Sequence, residues 1–156
     1  ILDGAEGERR VSARELFAGA MESALRSDEV LVRLEVDSQR GALIGYAKLK
    51  RGASSWPIAT AAVVAARDEN GRCSAVTLVL GGVAAVPIDV DVSQTLIGHM
   101  PSPDAIEAAA EEAAAQIIDP WGDVLAPASY RFAVARPIAR RALTMAFRGQ
   151  DEAGPR

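Results

Sequence analysis

The sequence predicts an α+β fold, a small antiparallel sheet of about three strands flanked by helices, and three observations carry that prediction. Alternating and β-branched runs fill the first half of the chain, and helical patterns fill the second. Asn70-Gly71 lies between two apolar runs, which is a strong hairpin signal. An apolar fraction of 49% supplies a core, and the scarcity of aromatics, 4%, means that Ala, Val, Leu and Ile must build it. With 156 residues the chain can form one ordinary domain or two small lobes.

The elements follow in order. Residues 1–11 read as a hairpin, turning at Gly4-Ala5-Glu6-Gly7. Ile1 is not an initiator, and Ile1-Leu2-Asp3-Gly4 reads as a strand continuing from something upstream. Ser12 and Glu15 stand at capping-box spacing, so a helical turn over 13–17 is expected, ended by Gly19. Residues 29–36 place Val32, Leu34 and Val36 on one face and Arg33 and Glu35 on the other, the pattern of a half-buried strand. The polar stretch 37–41 is the best candidate for a boundary between lobes.

Strands are expected over 43–50, 58–67 and 73–80, with a loop at 52–57. Gly81-Gly82 precedes a short extended run to Pro87. A short helix is expected over 92–97, stopped by Gly98. Ser102 and Pro103 form an N-cap with proline at the first helical position, opening a helix over 105–118. The last helix spans 128–148. Phe132, Val134, Ile138, Ala142, Leu143 and Met145 follow its apolar spacing, and an interior Pro137 should kink it. A frayed tail is expected over 150–156.

The sequence excludes several kinds of chemistry. A net charge of −4 leaves no footprint for nucleic acid. One cysteine, Cys73, permits no internal disulfide and no thiolate cluster and points to a reducing, cytoplasmic setting. One histidine, His99, adds no usual metal site. No stretch approaches the apolar length of a membrane span. His99 lies between Gly98 and Met100 with no nucleophile elbow in the chain, so an exposed loop residue is expected. Cys73 reads as a small core or strand-edge residue. Glu111-Glu112 on an Ala-rich helix reads as a solvated face, and Gly81-Gly82 lacks the context of a phosphate cradle. Lys48 and Lys50 share a strand face, where most lysines simply meet water. Arg140-Arg141 reads as a cationic stretch near a helix C-terminus or a partner contact. No catalytic residue can be named, which favours a binding, docking or electron-transfer component over a hydrolase.

Several strings in order make a more specific pattern. Ser12-Ala13-Arg14-Glu15-Leu16-Phe17 with Gly19 opens it, and residues 27–36 follow. Gly45-Tyr46-Ala47-Lys48-Leu49-Lys50-Arg51 and Trp56-Pro57-Ile58-Ala59 come next. Gly81-Gly82-Val83-Ala84 with Pro87, and Leu96-Ile97-Gly98, fill the middle. Ser129-Tyr130-Arg131 and Arg140-Arg141-Ala142-Leu143 close it. Together they resemble the C-terminal region of the FAD-binding medium subunit in the xanthine dehydrogenase and carbon monoxide dehydrogenase family.

The resemblance implies a division of the chain. Residues 1–37 would be the C-terminal edge of an FAD-binding domain, ending in a hairpin, and 42–149 a small α+β domain. It implies FAD, shared with an upstream segment, and partner subunits carrying two [2Fe–2S] clusters and molybdopterin. Electrons would pass from the clusters through FAD to an external acceptor. Leu31 and Lys48 fall on family positions that touch the flavin. Leu31 would supply apolar packing, and Lys48 a positive charge favouring the anionic reduced form. The loop 49–57 resembles the segment that influences acceptor access, while Tyr130 and Arg131 look structural. The family's glycine-rich pyrophosphate segments fall upstream of Ile1, so this stretch alone is expected to hold FAD weakly or not at all. The rival expectation is a non-catalytic assembly module of the same fold that has lost flavin.

Overall fold

The computed structural model describes residues 1–148, which divide into two compact units, Ile1–Arg40 and the chain from Gly41 onward. The expected frayed tail, 150–156, lies outside the described residues.

In the first unit, β1 (Leu2–Gly4) pairs antiparallel with β2 (Gly7–Arg9) on one side and with β5 (Val30–Leu31) on the other. Gly7 turns the hairpin with φ 96°, a value that costs glycine nothing. Ser12 and Glu15 form the expected capping box on the single turn α1 (Ala13–Leu16). The chain then makes a second hairpin, β3 (Phe17–Gly19) and β4 (Glu22–Ser23), which the sequence did not announce. Its turn uses Met21 at φ 62°, so no glycine or asparagine marks it.

The half-buried strand expected over 29–36 is cut to β5, Val30–Leu31, and it is not half-buried. Beyond it two backbone bonds continue to Ile1, from the Val32 N–H (3.1 Å) and to the Arg33 carbonyl (2.8 Å), while Val32, Leu34 and Val36 are 47%, 73% and 83% exposed. Alternation marks a face able to be buried; it does not supply the surface that buries it.

The second unit carries one four-stranded antiparallel sheet in the order β6 (Leu43–Lys50), β7 (Pro57–Arg67), β8 (Cys73–Gly81), β9 (Ile88–Val90). The expected three strands are joined by β9, whose three residues pair with Leu78, Val79 and Leu80. A run that short lies below the length at which alternation can be recognised. Asp68 builds the β7–β8 turn by accepting from the backbone N–H groups of Asn70 (2.9 Å) and Arg72 (2.8 Å), and Gly71 takes φ 78°.

Helices α2 (Ser93–Leu96), α3 (Pro103–Ala115) and α4 (Ala128–Arg148) complete the unit. The first two are shorter than expected, each by a residue or more at both ends or at the C-terminal end. The Ser102 hydroxyl accepts from the Ala105 N–H at 3.2 Å, which fixes the start of α3. α4 lies across β6 and β7, and α3 packs on α4. The helices therefore cover one face of the sheet. Along β6, Leu43, Gly45 and Ala47 are buried while Ile44, Tyr46, Lys48 and Lys50 are exposed.

The covered layer is built from small side chains. Ala59, Ala61 and Ala65 of the sheet, Ala109, Ala110 and Ala113 of α3, and Ala135, Ala139, Ala142 and Ala146 of α4 are all at most 2% exposed. Close approach is enforced at Gly45, where any Cβ would overlap the backbone carbonyl of Ala142. The buried stripe of α4 thus runs through its alanines, with Arg131, Ile138, Leu143 and Phe147. Phe132 and Met145, expected in that stripe, are 43% and 46% exposed. Pro137 sits inside α4 without ending it. It is exposed, and the carbonyl it leaves without an amide partner belongs to Ala133, also exposed, where water can replace the lost bond.

Among the described residues of this unit, one charged side chain is fully buried. Arg131, 1% exposed, donates to the carbonyls of Ile58 (2.5 Å), Gly82 (2.7 Å) and Ala126 (3.4 Å) and to Asp123 Oδ1 (2.7 Å). Its guanidinium lies 4.8 Å from the Trp121 ring centroid. The Arg131 guanidinium, together with the amides of Ala126 and Leu125, holds the Asp123 carboxyl below the usual carboxylate range against its partial desolvation. Four polar groups and one aromatic ring thus meet at one planar cation, and the start of β7 is tied to the end of β8.

Candidate functional site on the open face of the sheet

The uncovered face of the second unit's sheet presents Ile44, Tyr46, Lys48, Thr60, Ala62, Val64, Thr77 and Val79 in register. Lys48 stands opposite Thr60, and Thr60 opposite Gly81, forming a row across three strands. The strand alternation sets this orientation: Ala47, Ala59 and Ala61 turn into the core, so Lys48 and Thr60 must turn outward. Among the described residues Lys48 has no carboxylate partner; its ammonium lies 5.9 Å from the ring centroid of Tyr46. Lys50, expected to share a strand face with Lys48, is held differently. Its ammonium donates to the Ala53 carbonyl and pins the loop after β6. Ser55 and Gly52 close that loop with two bonds of 2.9 Å, leaving Trp56 75% exposed.

Leu31 belongs to the first unit. It is 45% exposed and borders a recess of about 360 Å³ whose lining includes Leu2, Phe17, Leu34 and Val36. Each of the two side chains singled out in the sequence is thus available to a ligand on its own unit's surface.

The remaining candidates take the bland roles expected of them. His99 is exposed, and its carbonyl accepts from the Cys73 N–H at 2.9 Å. Cys73 is 1% exposed, and burial pushes its thiol up, away from reactivity. Glu107 lies within 3.5 Å of Arg136 and 3.4 Å of Arg140, and Glu112 accepts from the Thr95 hydroxyl at 2.6 Å. Among the described residues no group of three or more His, Cys, Asp or Glu side chains could hold a metal ion. No described helix is long and apolar enough to cross a membrane.

Sequence reasoning passed over Thr60 and gave Gly81 a turn or close-packing role, of which the close packing is borne out. In the structure Gly81 is the last residue of β8, and a Cβ there would stand 2.6 Å from the Thr60 hydroxyl oxygen. The signal is the cross-strand register, which the paired strands supply and the Asn70-Gly71 turn alone does not, because the register shifts between Ala66 and Arg67.

A one-sided α+β layer with an open cationic sheet face is the class of domain these features define. The family model of the CO dehydrogenase flavoprotein C-terminal domain matches residues 44–146, and the chain belongs to this family. It is 32% identical over 149 residues to the carbon monoxide dehydrogenase medium chain of Hydrogenophaga pseudoflava, covering 94% of this chain and 51% of that one. The corresponding medium chain of Afipia carboxidovorans is 33% identical over 147 residues, with 93% and 50% covered. Among solved structures, quinoline 2-oxidoreductase from Pseudomonas putida 86 superposes with a TM-score of 0.84 at 25% identity, covering 95% of this chain and 51% of that one. The chain spans about half the length of the curated relatives it matches.

Proposed function

We propose that this chain is the C-terminal part of the FAD-binding medium subunit of a molybdenum hydroxylase, working in the cytoplasm beside a small iron–sulfur subunit and a large molybdopterin subunit. Residues 1–37 then form the edge of the FAD-binding domain, and 42–149 form the C-terminal domain. The observation that carries the reading is Lys48: a lysine without an ion pair among the described residues, held on an open sheet face inside the segment that matches the family.

The residues present fit such a cofactor. A flat ring system with an electron-rich edge requires a surface of low relief and a cation beside it. Thr60, Ala62 and Gly81 keep the face next to Lys48 low, and the place of the missing Gly81 side chain is one that a Cβ would fill. FAD, when bound, supplies electron exchange between the iron–sulfur clusters and an external acceptor. The protein's part is to bind, orient and bias it. Lys48 contributes positive charge and up to three donors, and Leu31 contributes apolar packing from its own recess.

In the assembled enzyme, Lys48→Met should weaken FAD retention about tenfold, the order expected for losing one hydrogen bond to a charged group, or slow flavin reduction or reoxidation. Leu31→Ala should have a smaller effect in the same direction. Flavin content and stopped-flow rates that match the unaltered enzyme in both variants would remove these residues from the site.

A further inference from the structure

We infer that Thr60 is a further flavin-contacting residue, its hydroxyl seated in the notch that Gly81 leaves beside Lys48. The inference rests on the flavin reading of Lys48 given above and deepens it. Three observations lead to it. The first is register: Lys48, Thr60 and Gly81 occupy one row across β6, β7 and β8, on the face turned away from the helices. The second is orientation. Ala59 and Ala61 on either side of Thr60 are fully buried, so the threonine side chain must leave the sheet on the open side. Its hydroxyl leans toward β8, into the position where a Gly81 side chain would begin, 2.6 Å from that point. The third is that, among the described residues, the hydroxyl has no hydrogen-bond partner.

The chemistry of the pair suits a heteroaromatic edge. Lysine can only donate, whereas a threonine hydroxyl donates once and accepts twice. A flavin ring edge alternates carbonyl acceptors with an N–H, so a cation alone satisfies only part of it. The Thr60 hydroxyl can serve either kind of atom. Glycine at 81 matters because a methyl there would force the hydroxyl up and raise the surface on which a flat ring must lie. Arg131 supports this row at its flank by holding the carbonyls of Ile58 and Gly82, so the strand ends around Thr60 and Gly81 are fixed before any ligand arrives.

The test is FAD titration into the deflavinated full-length complex, followed by flavin fluorescence, with thermal unfolding recorded for each variant. Thr60→Val should weaken FAD binding about three- to tenfold, as for one hydrogen bond lost without change of shape. Thr60→Ser, which keeps the hydroxyl, should stay within about twofold of the unaltered complex. Gly81→Ala should weaken binding in the Thr60 background through the crowded hydroxyl, and it probes the row independently if Thr60→Val lowers the unfolding midpoint. Normal affinity in Thr60→Val and Gly81→Ala, with Lys48→Met impaired, would overturn the role of Thr60 and leave the flavin reading standing. Equal weakening by Thr60→Val and Thr60→Ser would also overturn it, since the hydroxyl would not be the active group. Normal affinity in Lys48→Met as well would overturn the flavin reading itself.

Discussion

The two units of this chain are held together by different physics. From Gly41 onward, a continuous core of small aliphatic side chains joins the sheet to α3 and α4. In the first unit, Leu2 is the one buried hydrophobic side chain among the described residues, and order comes instead from a carboxylate. Glu29 accepts from Arg9 Nε (2.6 Å) and Nη2 (2.8 Å) and from the Arg26 backbone N–H (2.8 Å), while Arg9 also reaches the Ala24 carbonyl (2.8 Å). Within Ile1–Arg40 the described order therefore rests on polar geometry, whereas from Gly41 onward it rests on apolar packing.

That contrast can be broken or sharpened by substitution. The largest effect is expected at the polar hub of the second unit, the exception to its apolar logic. Arg131→Met should cost about 3–5 kcal/mol in denaturant-induced unfolding, because Asp123 and the carbonyls of Ile58 and Gly82 lose their shared donor in a dry setting. A loss below about 1 kcal/mol would show that the hub is dispensable. Next comes Gly45→Ala, which drives a methyl into the Ala142 carbonyl and should cost about 2 kcal/mol or more, read as a lowered thermal midpoint. An unchanged midpoint would mean that α4 can lift off the sheet freely.

The smallest effect should be confined to the first unit and to acid. Arg9, the Arg26 amide and the nearby guanidinium charges hold the Glu29 carboxyl at about 2, below its ordinary 4.5. A folded-state value below the unfolded one adds stability at pH above about 4.5 that is lost as pH falls toward 2. An NMR titration of the Glu29 side-chain carbon should therefore have its midpoint near 2. Glu29→Gln should remove the acid dependence of the first unit over that window. A midpoint at the ordinary value would mean that the ion pair with Arg9 contributes nothing to the unit's order.

How legible each region was in the sequence follows the same division. Strands β6 to β8 and helices α3 and α4 could be read because their apolar residues have a core to face, so the pattern and the structure share a cause. The stretch 29–36 was read as one strand from its alternation, and in the structure only Val30 and Leu31 of it form one. β3 and β4 went unread because Met21, not glycine, makes the turn. In the candidate site, Lys48 was legible only through resemblance, since an exposed strand lysine has no distinguishing local pattern. Thr60 was not legible, because its position opposite Lys48 and Gly81 is a property of three strands. Arg131 was recognised as structural from its setting in the closing motif, but its five partners lie on three separate segments that only the fold brings together.

The alanine layer beneath the sheet has a mechanical consequence. Long side chains can change rotamer to absorb a shift between two packed elements; methyl groups cannot, and at Gly45 the main chains themselves are in contact. A displacement of α4 is therefore transmitted to β6 with little slack. Any partner that pushes on the outer side of this helix, where Tyr130, Arg141 and Met145 are exposed, would move the strand bearing Lys48 along with it.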